Sequence, residues 1–349
     1  MHYNTKIIPY TLNFRKPAGT SRGIYQIHKV WFVTISIDDD PAHFGIGECA
    51  PLTDLSCDDV PEYEKKLHVA CQYFGQNGKI DYEGLRPWPS ILFGLETALR
   101  HCEQGSFSLW DTPFSRGIQG IPINGLVWMN DIRTMSEQVQ EKIHQGFRCL
   151  KLKIGALKFE EELELIKSIR KRYSAEEITL RVDANGAFSP DNANEKMKRL
   201  SELGIHSIEQ PIKAGQWEKM SEIISNSPLP VALDEELIGY NTLVQKQDLL
   251  QTIKPEYIVL KPTLHGGISG CSEWIELAEK MGIGWWLTSA LESNIGLNAI
   301  AHWCATLNNP LHQGLGTGLL YTNNIDIPLH IEDEHLWYSP AEKPCIRLT

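Results

Sequence analysis

The chain has 349 residues, 42% of them hydrophobic and 22% charged, the make-up of a soluble globular protein with room for about two domains. Its net charge of −11 and its lack of any Lys/Arg cluster argue against nucleic acid or an anionic membrane as partners, while leaving a small carboxylate substrate open to local charge. No apolar stretch approaches the ~18 residues of a membrane span, and eight scattered cysteines without a C-x-x-C pair or zinc spacing predict free thiols in a reducing cytoplasm.

The N-terminus leads straight into a strand-like run, so no targeting segment is expected. Residues 6–14, 28–38 and 44–49 read as strands, with a turn over 39–43 joining the last two. Helical patterns over 60–74 and 89–102 follow, and strands first with helices after is the order of an α+β domain, placed over residues 1–118. Two Gly/Pro-rich segments, 15–23 and 47–53, read as connecting loops able to serve as lids.

From about residue 119 the pattern alternates. Strands are expected over 122–128, 149–154, 179–185, 205–210, 231–235, 257–262, 285–290 and 313–318, with amphipathic helices between them. Eight such units over residues 119–320 imply an α/β fold, a modified (β/α) TIM-type barrel carrying the N-terminal α+β capping domain. A doubly wound sheet would need a glycine-rich nucleotide turn after an early strand, and none is present. The segment 321–349 is expected to pack back on the cap.

Five of these strands end in a charge where packing calls for an apolar residue: Lys153, Asp183, Glu209, Asp234 and Lys261, with gaps of 30, 26, 25 and 27 residues. That is the length of one strand-plus-helix unit, and the carboxyl ends of barrel strands are where such folds carry their chemistry. Side chains two apart on a strand share a face, so Cys149, Lys151 and Lys153 point into the barrel while Leu150, Leu152 and Ile154 face the helices. Burying each charge costs several kcal/mol unless it is compensated. Three carboxylates from neighbouring strands, Asp183, Glu209 and Asp234, call for a cation, and all-oxygen ligands suit Mg²⁺, with Mn²⁺ possible, rather than zinc. Lys153 and Lys261 flank that group. Lys151, two residues from Lys153, and a divalent cation would lower the Lys153 pKa toward that of a general base; alone, Lys151 reads equally well as an ion-pair partner. This set points to abstraction of a proton next to a carboxylate, with the cation stabilising the resulting enediolate.

The motifs Lys151-Leu152-Lys153, Asp183-Ala184-Asn185-Gly186, Glu209-Gln210-Pro211, Asp234-Glu235 and Lys261-Pro262 resemble those of the enolase superfamily, in its muconate-lactonizing-enzyme branch. Phe93-Gly94-Leu95-Glu96-Thr97-Ala98 looks like that branch's capping-domain helix, and Gly47-Glu48-Cys49-Ala50-Pro51 like its second specificity loop. Ala290-Leu291-Glu292-Ser293 and Gly314-Leu315-Gly316-Thr317-Gly318 are most similar to the o-succinylbenzoate synthases of menaquinone biosynthesis; the Asp-x-Asp that dipeptide epimerases carry at the eighth strand is missing.

The resemblance implies a lyase. Lys153 would remove the α-proton of a cyclohexadiene carboxylate and protonate the departing hydroxyl, with Lys261 acting electrostatically from the other face. It also implies that Asn185 and Glu235 orient the metal and lysines, and that Thr288, Ser289, Arg22 and Leu52 shape the pocket for the succinyl chain. The alternatives are an epimerase or racemase of dipeptides or N-acylamino acids and, third, a barrel without activity. The intact Lys–carboxylate–Lys set argues against the last.

Overall fold

The β-rich start of the chain forms a three-stranded antiparallel sheet in the order β1-β2-β3, from β1 (Tyr3–Thr20), β2 (Gly23–Ile37) and β3 (Phe44–Cys49). This is a computed structural model that describes residues 3–20, 23–37 and 43–348. The segment 15–20 is not the loop its Gly/Pro content suggests. It continues β1 past a register shift between Asn13 and Ala18 and pairs Ala18 with Tyr25. Of the expected turn over 39–43, only His43 lies within the described residues.

Three helices follow: α1 (Tyr63–Asn77), α2 (Tyr82–Leu85) and α3 (Pro89–Gln104). Helix α3 opens with Pro89 in its first turn and stops at Gly105 in the left-handed conformation, the usual asymmetry of helix ends. It lies directly on β3. A Cβ on Gly47 would stand 2.0 Å from the Gly94 carbonyl oxygen, so this glycine serves close packing rather than loop flexibility. Val33, Ile35, Leu67, Phe74, Ile91 and Leu95 fill the space between this sheet and its helices.

After β4 (Ile121–Pro122) the chain alternates as expected: β5 (Gly125–Val127), α4 (Ile132–His144), β6 (Cys149–Lys153), α5 (Phe159–Arg170), β7 (Thr179–Asp183), α6 (Pro190–Ser201), β8 (Ser207–Glu209), α7 (Trp217–Asn226), β9 (Val231–Leu233), α8 (Leu243–Ile253), β10 (Tyr257–Leu260), α9 (Gly267–Lys280), β11 (Gly284–Leu287) and α10 (Asn294–Cys304). Strands β5 to β11 form one parallel sheet in sequence order. The segment expected as the eighth strand closes this sheet through single bridges instead. Gly314 pairs with Thr288 beyond β11, and Gln313 pairs with Ile123 before β5. The fold is thus a TIM-type (β/α) barrel.

Aliphatic side chains, including Leu150, Leu152, Leu180, Val182 and Ile208, face the helices in the main core. The barrel floor is packed as well. Ala232, Val259 and Trp286 form a buried cluster there, with the Arg181 guanidinium 4.1 Å from the Trp286 ring and donating to the His312 carbonyl at 2.8 Å. The inward charges therefore crowd toward the strands' carboxyl ends.

Beyond the barrel, residues 320–322 run beside β1, through Arg15 N–H to Leu320 O (2.8 Å) and Thr322 N–H to Asn13 O (2.9 Å). Strand β12 (Leu329–Glu332) then pairs with β13 (His335–Tyr338), which pairs with β4. Among the described residues no helix is long and apolar enough to cross a membrane.

Candidate active site

Parallel pairing sets Lys153, Asp183 and Glu209 in one row, as the last residues of β6, β7 and β8. Asp234 and Lys261 extend the row just past β9 and β10. All three carboxylates are buried: Asp183 and Asp234 are 0% exposed and Glu209 2%. Charges so deep must be matched. The Lys153 ammonium lies 2.5 Å from Asp183 Oδ2 and 2.8 Å from Asn185 Oδ1. Lys151 donates to both oxygens of Glu209, at 3.0 and 3.1 Å, and stands 3.2 Å from Asp183 Oδ2. Lys261 pairs with Asp234 Oδ2.

These contacts decide the protonation of the row. Burial opposes charge on Asp183, Glu209, Asp234 and Lys261. For Asp183 the Lys153 and Lys151 ammoniums outweigh it and hold the carboxyl well below its usual range. Asp234 is lowered too, because Lys261 beside it overcomes its burial. For Glu209, burial and the neighbouring Asp183 charge win, and its pKa is pushed well up. Lys151 is raised against its burial by Glu209, Asp183 and Asp234. The Lys151 ammonium thus pairs with Glu209 and Asp183, in keeping with the ion-pair reading that its sequence left open.

Backbone strain and side-chain bonds brace the row. Asn185 and Gln210 follow the carboxylate strands in left-handed conformations, at φ 44° and 41°. Asn185 links Lys153 to the turn after β9, accepting from Lys153 and donating to Glu235 Oε1 at 2.9 Å. Gln210 was not singled out from the sequence. Its Oε1 accepts from the N–H groups of Asp234 and Glu236, and its Nε2 donates to Glu236 Oε2 at 3.1 Å, which fixes the turn bearing Asp234. The only signal for it is its place next to Glu209.

One cavity opens over this row and takes in Lys151, Lys153, Asn185, Glu235 and Lys261. Thr288 and Ser289 form part of its wall. Thr288 Oγ1 donates to Gly314 O at 2.8 Å, and Ser289 Oγ is 2.5 Å from Thr317 Oγ1. Gly314 admits no side chain, because a Cβ would lie 2.1 Å from Thr288 Oγ1. The cap supplies Tyr25, Leu52 and Leu55. Arg22, expected to reach the substrate, lies outside the described residues. Asn124, Leu126 and Trp128 also line the cavity and were missed. Their spacing of two along an expected strand was the signal that could have found them.

Among the described residues, no three Asp, Glu, His or Cys side chains are gathered as a group able to hold a metal ion. The donor set of the row nevertheless fits an oxygen-liganded divalent cation. Among the described residues Asp234 Oδ1 is buried with no hydrogen-bond partner, and Asp183 and Glu209 stand side by side at the ends of paired strands. An added positive charge would satisfy that oxygen and relieve the repulsion between those two carboxylates.

Residues 134–344 match the model of the family described as "Enolase C-terminal domain-like". The chain belongs to that family. Within the enolase superfamily, it is 42% identical to the o-succinylbenzoate synthase of Desulfotalea psychrophila, over 92% of this chain and 95% of that protein. The crystal structure of MenC from the same organism superposes with a TM-score of 0.84 at 37% identity, covering 97% of this chain and all of the other. The L-Ala-D/L-Glu epimerase of Bacillus subtilis is more distant, at 26% identity over 86% of this chain and 83% of its own length. A dipeptide epimerase from Enterococcus faecalis, solved with Mg and a dipeptide, shares the superfamily fold at a TM-score of 0.80, 19% identity and 96% coverage of each chain.

Proposed function

We propose that this chain is an o-succinylbenzoate synthase, a lyase that dehydrates a succinyl-hydroxycyclohexadiene-carboxylate to 2-succinylbenzoate for menaquinone synthesis. The observation that carries this reading over an epimerase is the charge of the cavity wall. Among the described residues three lysines line it against one acidic residue, Glu235, one oxygen of which accepts from Asn185. A dipeptide's ammonium group would meet a wall of mainly positive charge, whereas a dicarboxylate whose ring fits between Leu126, Trp128 and Leu264 would meet lysines and apolar surface. The 42% identity to a synthase along nearly the whole chain supports the same choice.

Asp183, Glu209 and Asp234 would hold the divalent cation, with Mg²⁺ favoured by their oxygen donors and Mn²⁺ as a substitute. When bound there, it supplies positive charge to the substrate carboxylate as electron density builds on it. Lys153, in its neutral form, takes the proton from the carbon next to that carboxylate. The electrons of the broken C–H bond form the ring double bond and expel the hydroxyl. Lys153 returns the proton to that leaving oxygen, so that water departs and the ring becomes aromatic. Lys261, beyond the three carboxylate strands, holds a positive charge against the developing anion. Asn185 aims the Lys153 amine through its 2.8 Å hydrogen bond. The eight free cysteines fit a reducing cytoplasm.

The test is turnover with Mg²⁺. The protein should convert the cyclohexadiene to the aromatic product, followed by ultraviolet absorbance, and should leave dipeptides without α-deuterium exchange in deuterated water. Exchange into a dipeptide without dehydration of the cyclohexadiene would establish the epimerase instead.

A further inference from the structure

Leu291 lines the cavity, and its backbone lies in the left-handed region at φ 66°, a conformation a leucine adopts only where its surroundings impose it. The strained peptide is held at its carbonyl oxygen. Tyr321 Oη donates to Leu291 O at 2.5 Å, and His28 Nδ1 lies 3.0 Å from the same oxygen. Tyr321 is fully buried, and His28, a residue of cap strand β2, is 3% exposed. The other nitrogen of the His28 ring, Nε2, lies 3.3 Å from Pro51 O, in the cap segment that carries Leu52 into the cavity. A single buried imidazole therefore stands between the barrel wall and the cap wall of one pocket; a neutral ring, with one N–H, donates to one of these two carbonyls and packs against the other.

A second grip lies two residues on. Glu48, at the end of cap strand β3 and fully buried, accepts from Ser293 N–H at 2.8 Å, Ser293 Oγ at 2.6 Å and Gly296 N–H at 2.9 Å, where α10 begins. The positive end of that helix and its free N–H groups favour a carboxylate there. Between the two grips, Glu292 accepts from Ala290 N–H at 2.7 Å and from Thr263. The segment 291–293 is thus held by the cap at Leu291 and at Ser293, and its strain is maintained by contacts rather than by its own sequence.

We propose that His28 and Glu48 are positioning residues: reaching from the cap, they set the Leu291–Ser293 wall and the Pro51–Leu52 wall of the substrate pocket as one rigid unit. This rests on the synthase reading above for the substrate that is measured, not for the clamp itself. His28 and Glu48 hold walls and none of Lys153, Lys261 or the carboxylate row, so their loss falls on binding of substrate more than on the proton transfers.

Three full-length variants test this: His28→Gln, the double variant His28→Gln with Tyr321→Phe, and Glu48→Gln. The double variant removes both donors suited to Leu291 O. It should raise KM for the cyclohexadiene about tenfold or more while kcat stays within about threefold, the pattern of lost uniform binding. His28→Gln alone, whose amide can still donate to Leu291 O, should keep a KM nearer that of the unaltered protein. Glu48→Gln should raise KM as well. Backbone amide exchange, read by mass spectrometry without substrate, should quicken over residues 289–293 and 50–53 in the double variant. Unchanged KM and unchanged exchange would overturn the proposal, as would a fall in kcat at constant KM. If the unaltered protein lacks turnover, the synthase reading fails and the exchange measurement alone decides the clamp.

Discussion

Lys151 Nζ lies 3.0 and 3.1 Å from the two oxygens of Glu209, a residue two strands away across the sheet. The pair is buried, and Asp183 stands on the same ammonium at 3.2 Å. Removing one partner of a buried ion pair leaves the other uncompensated, at a cost of about 3–5 kcal/mol. Lys151→Met should therefore lower thermal stability, and added Mg²⁺ should restore part of the loss by returning positive charge to Glu209 and Asp183. Melting temperatures with and without the cation check this. An unchanged melting temperature would show that Glu209 needs no partner.

Lys153 is the base in the proposed reaction, and its ammonium already meets Asp183 and Asn185. Lys153→Ala should reduce kcat by about 10²–10⁴-fold, the usual weight of a positioned acid–base group. The carboxylate row remains, so Mn²⁺ binding, followed by electron paramagnetic resonance, should persist. Turnover near that of the unaltered protein would refute the assignment.

The charged row is legible in the sequence because nothing about packing explains a carboxylate or lysine at the end of a buried strand. Period-two alternation also tells which side chains of 149–153 face inward. It does not tell which neighbour an inward ammonium meets, and that is why the sequence leaves Lys151 with two readings, while its bonds to Glu209 appear only in the fold. Residues 15–20 look like a loop by composition but become strand, because residues 18–20 pair with β2 and Arg15 N–H bonds Leu320 O, partners that propensity does not reveal. The hold of His28 on Leu291 spans 263 residues and that of Glu48 on Ser293 spans 245. No local pattern encodes contacts between such distant segments, and they emerge only when the cap docks on the barrel.

Asp234 gives a prediction for the cation. Its Oδ1 is buried without a partner while its Oδ2 pairs with Lys261. Asp234→Asn should weaken Mg²⁺ binding at least about tenfold, since one of three anionic donors becomes neutral. Chelation of the unaltered protein should abolish turnover, and Mg²⁺ or Mn²⁺ should restore it. Calorimetric titration of both proteins measures the first effect, and full turnover in chelator would refute a cation requirement.

Stability should depend on pH through the cap's two carboxylates at the barrel helices. Glu48 faces the start of α10, and Glu96 accepts from the N–H groups of Ile268 and Ser269, at 2.6 and 3.0 Å, at the start of α9. Burial pushes the pKa of each up to about 7, against the lowering pull of these hydrogen bonds. A carboxyl whose folded pKa lies above its unfolded value binds its proton more tightly when folded. Its contribution to stability is full below about pH 4.5 and is lost as pH rises through about 7. Each shift corresponds to roughly 3 kcal/mol at most, at 1.36 kcal/mol per unit. A Glu96→Gln variant cannot titrate there, so the stability of the unaltered protein relative to the variant should fall between pH 5 and 8. Urea denaturation across that range provides the comparison, and parallel pH curves for the two proteins would show that Glu96 titrates alike in the folded and unfolded chains.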